Sequence, residues 1–150
     1  MKLLLLFFLA IPVLSQADSI GLFASASRGN LEELKNQIAS GANVNEVATG
    51  EDNYTPLMMA AWHGHLNVVS YLLDHGANIN ARGTNGSTAL MEAVWGVHRD
   101  VAKYLITKGA DVNAQIPAHN TVYSVAVWKQ EDDIVKLLKD KGAKEIPTYP

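Results

Sequence analysis

The stretch Tyr54-Thr55-Pro56-Leu57-Met58-Met59-Ala60-Ala61-Trp62-His63-Gly64-His65-Leu66-Asn67-Val68-Val69, followed by Leu72-Leu73 and Gly76-Ala77, decides the fold. Thr55 before Pro56 suits a helix start, because threonine can cap free amides and proline tolerates the first turn. Ala60 and Ala61 fall in that first helix, where small side chains let a neighbouring helix approach closely. Leu66, Val69, Leu72 and Leu73 follow i, i+3, i+4 spacing and give a second helix one apolar face. Gly76 then stands where a left-handed cap ends a helix. The unit reads as helix, turn, helix and polar loop.

The unit recurs along the chain. Gly41-Ala42-Asn43-Val44-Asn45 returns as Gly76-Ala77-Asn78-Ile79-Asn80, as Gly109-Ala110-Asp111-Val112-Asn113 and, degraded, as Gly142-Ala143-Lys144, at steps of 35, 33 and 33 residues. Thr55-Pro56-Leu57, Thr88-Ala89-Leu90 and Thr121-Val122-Tyr123 keep the same 33-residue step, and so do Trp62, Trp95 and Trp128. Three independent registers at one period mark a repeat architecture.

At these residues the chain resembles the ankyrin repeat, whose pattern runs Gly-x-Thr-Pro-Leu-His, Ala-Ala-x-x-Gly-His, a Val-Val step, Leu-Leu and Gly-Ala-x-Val-Asn. The resemblance implies an all-α solenoid of four helix-turn-helix repeats with hairpin-like loops, at about 19–45, 53–80, 86–113 and 119–146. One such unit cannot bury its apolar face alone, so the units must stack. The outer two are atypical, as end caps should be: the first has Gly21-Leu22-Phe23 for Thr-Pro-Leu, and the fourth lacks the Gly-His turn and ends in Lys136, Lys139, Lys141 and Lys144. Met58 and Met91 stand where the family usually has histidine, so the inter-repeat bonding attributed to that residue is in question.

The beginning of the chain has a different character. Met1 and Lys2 precede an uncharged run from Leu3 to Leu14 interrupted by Pro12, and then Ser15-Gln16-Ala17. A basic start, a short apolar stretch and a small-x-small site read as a secretory signal peptide over residues 1–17, cleaved between Ala17 and Asp18. The run is shorter than the roughly 20 apolar residues that span a bilayer. An uncleaved anchor is the alternative. The expectation is a periplasmic or secreted, monomeric protein with no membrane contact after cleavage.

Composition limits the chemistry. The 150 residues are 48% hydrophobic, carry 15 acidic against 12 basic side chains for a net charge of −3, and include no cysteine. The length suits one folded domain. The charge gives no reason to expect a nucleic-acid partner, and the missing cysteines remove disulfides, thiolate catalysis and cysteine-based metal sites. Stacked repeats offer another route to stability.

No catalytic constellation, cofactor loop or metal site is expected. His65 and His98 occupy the Gly-His turn position, where hydrogen bonding inside the turn is the simplest role, and His63 with His65 do not share a helical face at i, i+2. Glu131, Asp132 and Asp133 stand at a helix N-terminus, where carboxylates complement the macrodipole.

Binding is the remaining function. In the family the first helices line a concave side, and the position of Trp62, Trp95 and Trp128 is variable and used for partner contact. Tryptophan is common among binding hot spots, although three such indoles could equally pack between repeats. The expected contact set is these three with Met58, Met59, His63, Met91 and Glu92, and the loop tips with Asp52, Tyr54, Arg82, Asn85 and His119. The resemblance implies a non-catalytic accessory partner of another exported protein, as in small periplasmic ankyrin proteins that accompany oxidative-defence enzymes such as catalase. The alternatives are an immunity or inhibitor protein against a secreted toxin or enzyme and, from a different class, a hydrolase or metal-dependent enzyme.

Overall fold

Three threonines start three helices in the same way. Thr55, Thr88 and Thr121 adopt extended backbone, and their hydroxyls accept from the amides of Met58, Met91 and Ser124. In the last case Ser124 reciprocates to the Thr121 amide, completing a capping box. The computed structural model describes residues 16–48, 53–116 and 121–145. Within them the helices are α1 (Gln16–Arg28), α2 (Leu31–Ala39), α3 (Pro56–Trp62), α4 (Leu66–Asp74), α5 (Ala89–Trp95), α6 (Arg99–Thr107), α7 (Val122–Trp128) and α8 (Asp132–Asp140). Of the signal peptide expected over residues 1–17, residues 1–15 lie outside the described residues, while Ala17 and Asp18 lie in the first turns of α1. That helix has 13 residues where α3, α5 and α7 have seven each, so it begins ahead of the position 19 expected for the first repeat.

Each odd-numbered helix pairs with its successor. The odd helices then pack side by side in one row, α1 on α3 on α5 on α7, and the even helices form a second row. Between the rows lies a continuous core of Leu22, Leu34, Leu57, Val68, Leu72, Leu90, Leu105, Ile134 and Leu138, all nearly inaccessible. Leu66, expected on the apolar face of the second helix, is 38% exposed, and Val68 takes its place in the core. The loops close on themselves: the Ala48 amide donates to the Tyr54 carbonyl, Gly83 to Ser87, and Gln115 bridges Thr121 antiparallel.

The Gly-Ala-Asn-x-Asn motif recurs because its parts do separate jobs. Gly76 holds φ +88°, and the Ala77 amide reaches back to the Leu72 carbonyl. This is the Schellman closure that satisfies the last carbonyls of α4, and it recurs at Ala42, Ala110 and Ala143. The first Asn or Asp of the motif folds its own loop, accepting from the amide two residues on. The second Asn crosses to the next repeat: the Asn45 side chain accepts from the Asn78 amide at 2.7 Å and donates to the Gly76 carbonyl at 2.9 Å. Asn80 accepts from the Asp111 amide, and Asn113 links in the same way to Lys144 and Gly142. The motif is thus a chain of inter-repeat bonds.

The turn within each helix pair needs a left-handed residue. Gly29 and Gly64 supply it at φ +71° and +75°, but Val97 and Gln130 hold the same place at +62° and +59°. A β-branched residue there is strained. Val97→Gly is therefore expected to stabilise the protein by about 0.5–1 kcal/mol, the left-handed penalty less the greater unfolded freedom of glycine. A urea midpoint that fails to rise would contradict the strain.

Candidate partner-binding face

The three tryptophans are the last residues of α3, α5 and α7. Trp62 is 45% exposed and Trp128 66%, while Trp95 is half-buried between them in sequence order. The expected ladder forms only in part. Trp95 and Trp128 meet edge to face at 5.5 Å between ring centroids and 64°, a favoured aromatic geometry. Lys129 lays its ammonium over both rings, 4.9 Å from the Trp128 centroid and 5.4 Å from that of Trp95. Close to these tryptophans in sequence, Val127 is 45% and Val97 46% exposed.

Other expected contact residues are placed differently. Met58 and Met91 are 1% and 0% exposed, so neither can meet a partner. For Met58 the reason is angular, since it stands one residue before half-buried Met59 and about 100° of rotation turns it into the core, whereas Met91 lies in a stretch of α5 from Ala89 to Val94 that is buried throughout. Met59 is half-buried and His63 exposed. Glu92 is 3% exposed, and its carboxylate lies beside the Tyr54 phenol. Burial, then that carboxylate, raises the Tyr54 pKa above its ordinary value of 10.0. Glu92 thus serves packing of the second repeat on the third rather than an outer surface.

The loop tips are spent largely on each other. Arg82 donates to the carbonyls of Gly86 at 3.3 Å and Gln115 at 3.0 Å, tying one tip to the next, and the Asn85 side chain accepts from the Ser87 amide. Asp52 and His119 lie outside the described residues. Tyr54, Arg82 and Asn85 precede the first turns of α3 and α5, whereas the tryptophans end those helices. Seven residues at 1.5 Å each separate the two sets by about 10 Å. The tips and the indoles therefore mark opposite ends of the first-helix row rather than one patch.

The histidines also differ from expectation. His65 Nε2 donates to the Ser27 carbonyl and His98 Nε2 to the Trp62 carbonyl, both at 2.8 Å, so the bonds reach the preceding repeat instead of closing within the turn. Each ring lies flat over the preceding turn glycine, where a side chain would collide with it. The bonding that Met58 and Met91 cannot supply is supplied here. His63 and His65 do come together, with centroids 6.1 Å apart, because they flank Gly64 in a reversing turn and not on one helix. No group of three candidate metal ligands occurs among the described residues. Burial, followed by the nearby His65 and His98, lowers the His63 pKa below its ordinary 6.5. The unfolded chain then takes up that proton first, so stability should fall as pH drops below 6.5. Denaturant midpoints between about pH 7.5 and about pH 5 should show a shallow decline that His63→Gln flattens; an unchanged slope would contradict the assignment.

In the fourth repeat Glu131 takes the place of that histidine and cannot donate. Its carboxylate, 3% exposed, instead receives Arg99 Nε and Nη2 from α6, and Lys103 donates to Asp133 at 2.8 Å. The Glu131 side chain makes no capping bond to α8. The acidic run therefore joins two repeats through the ion pairs of Glu131 and Asp133, and Asp132 and Asp133 both stand in the first turn of α8, where they complement its dipole. Sequence reasoning missed Lys129 and Val127; their position directly around Trp128 was the available signal.

Residues 22–116, more than half of the chain, match the family described as ankyrin repeats (3 copies). The chain is an ankyrin-repeat protein. It is 44% identical over 61 residues to the mouse protein fem-1 homolog A-like, covering 40% of this chain and 8% of that one. It is 39% identical over 61 residues to the chicken Arf-GAP with coiled-coil, ANK repeat and PH domain-containing protein 2, covering 41% and 8%. The palmitoyltransferase akr1 of Schizosaccharomyces pombe is 40% identical over 60 residues, covering 40% and 9%. The chain thus spans less than a tenth of the length of these relatives. Ankyrin repeats point to protein–protein interaction, and among the described residues of this ankyrin-repeat protein no helix is long and apolar enough to cross a membrane.

Proposed function

We propose that this ankyrin-repeat protein is an exported, non-catalytic binding protein that captures another protein through the tryptophan end of its first-helix row. The observation that carries the reading is Trp128, 66% exposed against a half-buried Trp95 and held in place by Lys129. A large ring left in water at a fixed angle costs stability and suits a contact anchor. Trp62, Met59 and His63 extend the face along the row, and the tips with Arg82 and Asn85 serve mainly to hold the loops. The export part of this reading is supported by the basic, apolar and small-residue pattern of residues 1–17.

The test compares capture with stability. Replacing Trp62, Trp95 and Trp128 together by Ala should weaken partner capture by about 30-fold or more, as loss of one hot spot of about 2 kcal/mol requires. The melting temperature should move little by comparison, because two of the three rings are exposed. Collapse of the fold in the triple variant, with capture preserved in the Trp128→Ala single variant, would show the indoles to be core.

A further inference from the structure

We propose that the end of α7, where Trp95, Trp128 and Lys129 meet and Val127 opens the uncovered flank of the same helix, receives an acidic, apolar segment of the protein partner. The inference rests on reading this end of the row as a partner face and adds the chemistry of what it takes. Its apolar part comes from stacking. At the position of Val127 the second and third repeats carry Ala61 and Val94, which are 0% and 2% exposed because the following first helix covers them. Among the described residues nothing covers Val127, and it lies open at 45% next to Trp128.

The sign of the partner comes from Lys129. Among the described residues Lys35, Lys103 and Lys139 each bond a carboxylate, on Glu32, Asp133 and Glu145. Lys129, like Lys108, Lys136, Lys141 and Lys144, forms no such ion pair among the described residues, and what sets it apart is that its ammonium rests on the faces of two indoles. The nearest carboxylate in sequence, Glu131, is committed to Arg99. Indole faces orient an ammonium without neutralising it. The result is a fixed positive charge at the rim of an apolar corner, complementary to a carboxylate that flanks an apolar side chain. The opposite reading, in which the two indoles are a cage for a partner's cation and Lys129 merely fills it, predicts the reverse response to charge.

Indole N–H signals of the full chain, followed by nuclear magnetic resonance at low salt, distinguish the two. One probe is a synthetic octapeptide with a Phe-Pro centre flanked by glutamates, and the other has lysines in their place. The acidic peptide should shift the Trp95 and Trp128 signals and bind roughly two- to five-fold tighter than the basic one. Lys129→Gln should remove that preference while the protein stays folded, with at most a small drop in melting temperature from the lost ammonium–indole contacts. Equal or tighter binding of the basic peptide, stronger binding after Lys129→Gln, or no indole shift with either peptide would overturn the proposal. The partner-capture comparison of the tryptophan variants uses neither peptide, so the two readings fail separately.

Discussion

Gly64→Ala is expected to destabilise the protein by about 2–4 kcal/mol, and Gly76→Ala by only about 1–2 kcal/mol, although both residues are left-handed glycines of the same repeat. At Gly76, φ +88°, a methyl group would meet nothing within 4 Å, so the backbone penalty stands alone. At Gly64, φ +75°, the methyl carbon would lie 2.3 Å from His98 Nδ1. The imidazole cannot simply swing away, because its other nitrogen donates to the Trp62 carbonyl at 2.8 Å. Substitution must either break that inter-repeat bond or push the third repeat off the second. Urea denaturation of the two variants side by side checks this, and equal losses would mean that the histidine does not join the repeats.

Leu105→Ala should be at least as damaging, at about 2–5 kcal/mol, because Leu105 is fully buried in α6 and its removal leaves a cavity in a close-packed core. Its position adds a second effect. A repeat contacts only its neighbours, so stability is a sum of repeat and interface contributions. The third repeat joins the first two to the fourth, and weakening it should loosen the fourth repeat as well. Hydrogen exchange should then show lost protection in α8 as well as α6. Unchanged protection of α8 would show that the fourth repeat stands independently.

Much of this was legible in the chain itself, and what was not has physical causes. The threonine starts, the Gly-Ala stops and the central leucines are local or periodic features, and each states its own geometry. The direction of Met58 was not, because an apolar side chain one residue from the contact position suits either side of the helix. The left-handed turn at Val97 was hidden because valine replaces the glycine that announces it. The Asn45, Asn80 and Asn113 links join residues 29 to 33 apart in sequence, and the motif shows the repeat without showing the bond. The Trp95–Trp128–Lys129 corner depends on two helices 33 residues apart lying side by side. Spacing identifies such helices as equivalent and leaves the placing of an ammonium over both rings to the packing.

The most direct test of the central claim places a photo-reactive side chain at position 128 in one variant and at position 85, on a loop tip, in another. After irradiation in the native compartment, the position-128 variant should give a discrete cross-linked protein partner, and the position-85 variant should give it weakly or not at all. A partner cross-linked from position 85 and absent from position 128 would contradict the account.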